Sequence, residues 1–369
     1  MSIAAEPLRG ALIGFGFIMG QGHAPAYRKR AASHGDVEIV AVADVCEARR
    51  AAAHDAFPGA RVYEGHVALL RAEAPHLDFV DIAAPPSEHA PIALDALDAG
   101  CHVLCEKPFA TSAELAWAML DRARMRNRTI FPCHNYRHAP VVKAVRSVID
   151  SGVIGPVRLV TLQTFRNTHA RGVKEWRPDW RRERHFSGGG IAMDHGSHTF
   201  YLACDWMGAC PESISARTRT TGSYDTEDDF SCSLRFPAGV ATAHLTWNAG
   251  FRKVIYTVQG ERGGMFVEED RLEVYTLKNN AQRSYGAEWD VARREIPSEW
   301  MDSSHAAWFA SLFEDFRLAI ALGECAGHEA ELAFHCIRLI ETAYASSAAG
   351  SRELAVDHHF PGAVVPAHG

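Results

Sequence analysis

The sequence predicts an α/β chain with a parallel sheet in its first third and a large open, mainly antiparallel sheet beyond it. Three observations carry this expectation. Short apolar runs alternate with alanine-rich stretches of helical spacing over residues 1–133. A glycine-rich turn follows the first of those runs. From 211 to 277 the chain becomes a series of Val-, Thr-, Phe- and Tyr-rich segments broken by glycine and proline.

Residues 8–13 (LRGALI), 37–43 (VEIVAVA), 78–83 (DFVDIA), 102–105 (HVLC) and 129–133 (TIFPC) read as strands. Helical spacing fills 47–57, 88–99 and 112–127 between them. Ser87 and Ser112 are suited to cap the second and third of these helices, Glu88 and Glu114 favour their first turns, and Gly100 follows as a terminator. Apolar strands alternating with helices imply a parallel sheet covered on both faces. Such a sheet binds ligands beyond the C-terminal ends of its strands.

The first strand runs into Gly14-Phe15-Gly16-Phe17-Ile18-Met19. A first glycine permits the tight turn, and a second lets a pyrophosphate approach the backbone at a helix N-terminus. Met19 stands where this Rossmann fingerprint wants Gly or Ala, which should loosen helix–strand packing or shift the turn. Asp44 ends the second strand, where a carboxylate accepts hydrogen bonds from an adenosine ribose. No Arg directly follows it and its charge repels a 2′-phosphate, so NAD is expected in preference to NADP. Residues 1–133 are therefore read as the NAD(P)-binding domain and 134–369 as a substrate-binding and oligomerisation domain.

The 369 residues carry a formal net charge of −7, which gives no nucleic-acid footprint. No apolar run reaches the ~18 residues of a membrane span, and the start lacks a secretory pattern. The nine cysteines are scattered and mostly lie in apolar runs, as reduced, buried thiols do. A cytoplasmic protein without membrane or nucleic-acid partners is expected.

From Asp78 to Pro108 the sequence reads DFVDIAAPPSEHAPIALDALDAGCHVLCEKP, followed by CHNYRHAP at 133–140, GPVR at 155–158, Trp180-Arg181 and GGGIAMDHGSH at 188–198. This pattern resembles the Gfo/Idh/MocA oxidoreductases, which include glucose–fructose oxidoreductase and inositol dehydrogenases. The resemblance implies a Rossmann domain followed by an α/β domain on an open, mainly antiparallel sheet. It also implies a homodimer or homotetramer formed through that sheet face. The strand-like segments 211–222, 226–236, 240–250, 253–260, 263–268 and 271–277 agree with this independently, with the punctuation of a meander. Residues 305–322 and 329–348 return to helical periodicity.

By the same resemblance, Lys107, Asp194 and His198 correspond to a catalytic lysine, aspartate and histidine. Oxidising a secondary alcohol needs a proton acceptor, for which a neutral imidazole serves near neutral pH. It also needs a cation at the developing alkoxide, which Lys107 can provide. Asp194 lies four residues before His198, on one face of a helix. The family pattern sets Pro85, His89, Glu106 and Lys107 at the nicotinamide end, and Tyr136 and Arg137 near the domain junction, with Arg137 counted among the cofactor residues. Many relatives have Asp three residues after the histidine, where this chain has Tyr201. A cis peptide before Pro108 would turn Lys107 toward the nicotinamide. Asp194-His195-x-x-His198 also has metal-like spacing, but without a third ligand no metal is expected.

Residues 166–185 hold seven Lys/Arg against three Asp/Glu. Trp180 offers a flat face for a sugar ring, and Arg166, Arg177 and Arg181 suit a carboxylate, phosphate or sulfonate. Tyr136 and His195 complete the expected substrate set. The function read from these residues is NAD-dependent oxidation or reduction of a secondary hydroxyl on a sugar or cyclic polyol, with room for an anionic substituent. The alternative is an NAD-dependent glycoside hydrolase that oxidises, eliminates, adds water and reduces again, with Tyr136 or His195 as the extra acid–base group.

Overall fold

The computed structural model describes residues 6–278, 288–300, 302 and 304–360. The first sheet is formed by β1 (Leu8–Ile13), β2 (Val37–Ala43), β3 (Arg61–Tyr63), β4 (Phe79–Ile82), β5 (His102–Cys105) and β6 (Ile130–Pro132). Its order is β3-β2-β1-β4-β5-β6, and every pairing is parallel. The helices between are α1 (Ala24–His34), α2 (Glu47–Ala56), α3 (His66–Glu73), α4 (Pro86–Asp98) and α5 (Ala113–Arg126). Near-continuous burial along β2 and β4 reflects cover on both faces. Ser112 caps α5 as expected, its Oγ accepting the Leu115 N–H at 3.2 Å. Elements α1, α3 and β3 were not apparent from periodicity.

The second half begins with α6 (Pro140–Asp150), β7 (Val157–Phe165), the single turn α7 (Arg184–Ser187) and α8 (Ile191–Met207). Then follow β8 (Ser213–Arg219), β9 (Asp229–Phe236), β10 (Gly239–Thr246), β11 (Lys253–Gly260), β12 (Gly263–Glu268), β13 (Arg271–Leu277) and β14 (Trp289–Glu295). Helices α9 (Ala306–Leu322) and α10 (His328–Ala348) and the short β15 (Leu354–Ala355) close the described chain. The nine-stranded sheet has the order β14-β13-β12-β11-β7-β10-β9-β8-β15. This corrects the meander expectation at one point. β10 and β11 are not neighbours, because β7 inserts between them, parallel to β10 and antiparallel to β11. The insertion centres the sheet on a strand contributed before α8, and so brings α8 onto its inner face.

The C-terminal helices pack back on the first half: α9 lies on α1, and α10 lies on α5 and β6. Phe79 of β4 sits 5.5 Å and 5.7 Å between ring centroids from Phe313 and Phe316 of α9. Buried aromatics of this kind contribute about 1.5–3 kcal/mol each by removal from water. Gly22 permits the close approach, since a Cβ there would lie 2.6 Å from the Ser304 carbonyl oxygen and 2.7 Å from the Phe309 ring.

Candidate active site

A cleft of about 720 Å³ opens beyond the C-terminal ends of β1, β2, β4 and β5. Gly14, Gly16, Phe17, Ile18 and Asp44 line it, together with Pro85, Glu106, Lys107, Asp194 and His198. Gly14 has φ 85°, and a Cβ on it would lie 2.7 Å from the Ala84 backbone nitrogen, so the turn needs glycine there. The first helical bond runs from Gly20 N–H to the Gly16 carbonyl. The N–H groups of Phe17, Ile18 and Met19 therefore precede the first bonded turn, as an anion-binding helix start requires. Asp44 is fixed by two backbone donors, Phe15 N–H at 2.6 Å and Cys46 N–H at 2.8 Å. The buried Asn135 Oδ1 lines the same cleft without a protein partner. A glycine turn, a free helix start, a fixed carboxylate and an orphaned acceptor together fit a dinucleotide.

The unusual Met19 is accommodated by a change of helix type. Residues Met19–His23 form a π-helical turn before α1, with the Met19 side chain buried. That turn carries His23 inward. His23 Nδ1 lies 2.7 Å from Asp81 Oδ2 and Nε2 lies 3.1 Å from Glu106 Oε1, all fully buried, while Tyr27 donates to the same Asp81 oxygen at 2.7 Å. Burial alone would keep this imidazole neutral, but the two carboxylates outweigh it and raise its pKa to about 9. For Glu106 burial would raise the pKa, and the His23 hydrogen bond reverses that effect. Glu106 Oε2 in turn accepts the Lys107 N–H at 2.9 Å, so the ion network underlies the strand end that presents Lys107. His23→Leu leaves two buried carboxylates without a cation. It should destabilise the fold by about 3 kcal/mol or more in urea unfolding, and a loss below about 1 kcal/mol would sink this account.

Lys107 Nζ lies 3.1 Å from Asp194 Oδ1 and 3.0 Å from the Asp194 carbonyl oxygen. The Lys107–Pro108 peptide is cis. Asp194 also meets Arg181 Nε at 3.4 Å and His195 Nε2 at 3.7 Å. Burial would raise the Asp194 carboxyl, yet Lys107 and Arg181 hold it well below its usual range. Burial, reinforced by the charge of Lys107, pushes His198 well below its ordinary value, and burial takes His195 to about 3. His198 stacks on Tyr136 with ring centroids 3.8 Å apart. Its Nδ1 lies 2.8 Å from the Tyr201 hydroxyl, which also accepts the Tyr136 N–H at 3.1 Å. Tyr201 thus occupies the hydrogen-bonding position expected of an aspartate, without its charge. Glu227 fixes the start of α8 by accepting the N–H groups of Gly190 at 2.9 Å and Ala192 at 3.0 Å.

The expected substrate residues divide. Tyr136, Arg166, Trp180, Arg181 and His195 line the cleft. Arg177 does not: its guanidinium pairs with Glu183 at 3.3 Å and lies over the Phe186 ring. Two of the expected cofactor residues, Arg137 and His89, stand off the cleft lining. Arg137 is held outside the cleft by Asp205 and Glu329, two carboxylates that outbid solvent for it. His89 is buried behind the lining, hydrogen-bonded to the Pro108 and Ala84 carbonyls at 2.8 Å and 2.9 Å. The side chains of Phe15 and Met19 point into the core, so at these two positions the backbone is what can face a dinucleotide. Sequence reasoning missed His23, Asp81 and Glu227, whose partners lie 35 or more residues away. It also missed Arg252 and His305, which line the cleft from the second half. Only the polar Asp81 within an apolar strand offered a signal.

A parallel six-stranded sheet, a glycine turn with a strand-end carboxylate, and a Lys–Asp–His group in one cleft define a Rossmann-fold oxidoreductase architecture. Residues 8–134 match the oxidoreductase family with an NAD-binding Rossmann fold, and residues 142–266 match the Gfo/Idh/MocA C-terminal domain. The chain belongs to the Gfo/Idh/MocA family, and its first domain is NAD-binding. It is similar to a D-glucoside 3-dehydrogenase of Escherichia coli, with 33% identity over 207 residues covering 56% of each chain. The chain therefore spans little more than half the length of that relative. A D-apiose dehydrogenase of Paraburkholderia graminis is 29% identical over 303 residues, covering 80% of this chain and 77% of the relative. Among solved structures, levoglucosan dehydrogenase in complex with NADH and levoglucosan shares the fold. Its TM-score is 0.80 at 22% identity, covering 95% of this chain and 99% of that one.

Proposed function

We propose that the protein is an NAD-dependent dehydrogenase acting on a secondary hydroxyl of a sugar or cyclic polyol that carries an anionic group. The observation that carries this reading is the Lys107–Asp194 contact of 3.1 Å beside a neutral His198, in the cleft that also holds the glycine turn and Asp44. Nicotinamide dinucleotide, when bound, supplies the two-electron acceptor. Within the chain, Tyr201 engages His198 Nδ1 and leaves Nε2 to exchange the hydroxyl proton. Lys107 stabilises negative charge on the substrate oxygen, and Asp194 holds the Lys107 ammonium in position. Tyr136 stacks on the imidazole and fixes its plane.

The anionic substituent is argued from the far wall. Arg252 has its pKa lowered by burial and then by the neighbouring Arg166 charge, so two guanidinium groups share this part of the cleft. His305 Nδ1, also in the lining, is buried without a hydrogen-bond partner. A carboxylate or phosphate relieves the repulsion between the arginines. The sugar reading draws support from the relatives named for glucoside and apiose.

The test is a panel of neutral and acidic sugars offered with NAD, followed by absorbance of the reduced cofactor and by product analysis. Reduced cofactor should accumulate with each turnover, fastest on an acidic member. Arg166→Ala should raise KM for that substrate by about tenfold or more with little change in kcat. Product formed without accumulation of reduced cofactor returns the redox-neutral hydrolase and overturns the proposal. An unchanged KM removes the anionic group.

A further inference from the structure

One cluster of metal-binding side chains stands apart from the cleft. Cys210 follows the C-terminal end of α8, His335 lies on α10, and His358 lies in the segment after β15. One ligand atom from each lies within 4.8 Å of the other two, and all three residues are partly exposed, so an ion has access. None of them lines the cleft described above.

The hydrogen bonds select the metal-binding tautomer. His358 Nε2 lies 2.6 Å from the Pro211 carbonyl oxygen, and only an N–H can bond there. The lone pair of this imidazole is therefore on Nδ1, which is buried and has no hydrogen-bond partner. His335 Nδ1 is likewise buried and unpartnered. A backbone acceptor fixing one ring nitrogen while the other is left free is the arrangement that orients metal-ligating histidines. Two buried ring nitrogens without a hydrogen-bond partner are costly unless a ligand engages them. A second group among the described residues, His23, Asp81 and Cys133, differs in this respect, because the hydrogen bonds of His23 to Asp81 and Glu106 account for both ring nitrogens.

We propose that Cys210, His335 and His358 bind a zinc ion that clamps the C-terminal segment to the end of the helix bearing Asp194 and His198. One thiolate and two imidazoles form the borderline-soft donor set that zinc prefers, with water at the fourth position. Zinc bonds of about 2.0–2.3 Å require the ligand atoms to draw together by about 1 Å from their widest separation. The Cys210 thiol loses its proton to solvent on binding, and no oxidation step is involved. The role is structural. Residues Leu354–Ala355 pair with the edge strand β8 through only two residue pairs, and zinc would add a cross-link to the hydrogen bonds and ring contacts that hold the segment.

The experiment uses the full chain, stripped with a chelator under reducing conditions and titrated with cobalt(II) and then zinc(II). Wild-type protein should bind one equivalent of cobalt with intense tetrahedral d–d bands and a thiolate charge-transfer band, and zinc should displace it. Zinc should also raise the wild-type Tm. Cys210→Ser should abolish the charge-transfer band, and His358→Gln should weaken zinc binding by about a hundredfold or more. Zinc should further protect Cys210 of the wild-type chain from alkylation, read by peptide mass, which needs no variant to fold. Absence of the charge-transfer band in wild type, its persistence in Cys210→Ser, or unchanged alkylation of Cys210 with zinc would each overturn the site.

Discussion

Lys107→Met should lower kcat by about 10²–10⁴-fold while leaving NAD affinity and Tm little changed. The ammonium touches Asp194 through both its carboxylate and its carbonyl oxygen, so the side chain is held rather than mobile. Asp194 keeps Arg181 and His195 as neighbours after the change, which limits the structural cost. Methionine preserves the apolar stem and removes only the charge. Steady-state kinetics on the best substrate, with cofactor binding followed separately by fluorescence, distinguish the outcomes. A kcat within about threefold of wild type means that Lys107 does not meet the reacting oxygen. A loss shared equally by kcat and cofactor affinity means that it acts on the dinucleotide instead.

The second large effect is on stability in acid. Burial lowers the pKa of His138 and His195 to about 3 and of His102 and His305 to about 4, and it lowers His89, His134 and His198 as well. Each folded value lies below the ordinary 6.5, so in acid the unfolded chain takes up protons that the folded chain refuses. Stability is fully present above pH 6.5 and is lost as the pH falls below it, by about 1.4 kcal/mol per pH unit for each such histidine. Carboxylates held low by cations, Asp194, Glu106 and Glu329, add their losses only in the more acidic carboxylate range. His23 has the opposite sign. Its pKa is raised to about 9, so its contribution persists in acid and is lost as the pH rises through that value. A maximum near pH 6.5 results, with a steep acid side and a shallower decline of about 1.4 kcal/mol per pH unit up to about pH 9, where the His23 contribution is gone. Urea midpoints at about pH 7 and about pH 5 measure it, and His102→Asn should reduce the slope by up to one proton. Equal midpoints would contradict the account.

Much of the first sheet was legible in the sequence because each strand that carries it is a local apolar run. The observed bounds of β1, β2 and β5 match 8–13, 37–43 and 102–105. The second sheet was legible strand by strand but not in its order. The register of β7 between β10 and β11 pairs residues about 80 or more apart, which no local pattern encodes. The short β3 lacks the length to show a period.

The candidate site divides along the same line. Gly14, Gly16 and Asp44 could be read from local motifs, because tight turns and strand ends impose requirements on residue type, whereas Lys107, Asp194 and His198 were read through the family resemblance of the motifs around them. The first glycine turn keeps its place in that reading, although Met19 enters a π-helical turn and the core rather than the cleft. Which arginine faces the cleft and which is spent on an ion pair could not be read locally. Arg137 is held by Glu329 and Asp205, 192 and 68 residues away, and Arg177 by Glu183. The sequence by itself determined the residue types that can bind a dinucleotide and move a proton. The tertiary structure decided which of them stand free to do so, because a buried charge goes to whichever opposite charge the fold brings within reach.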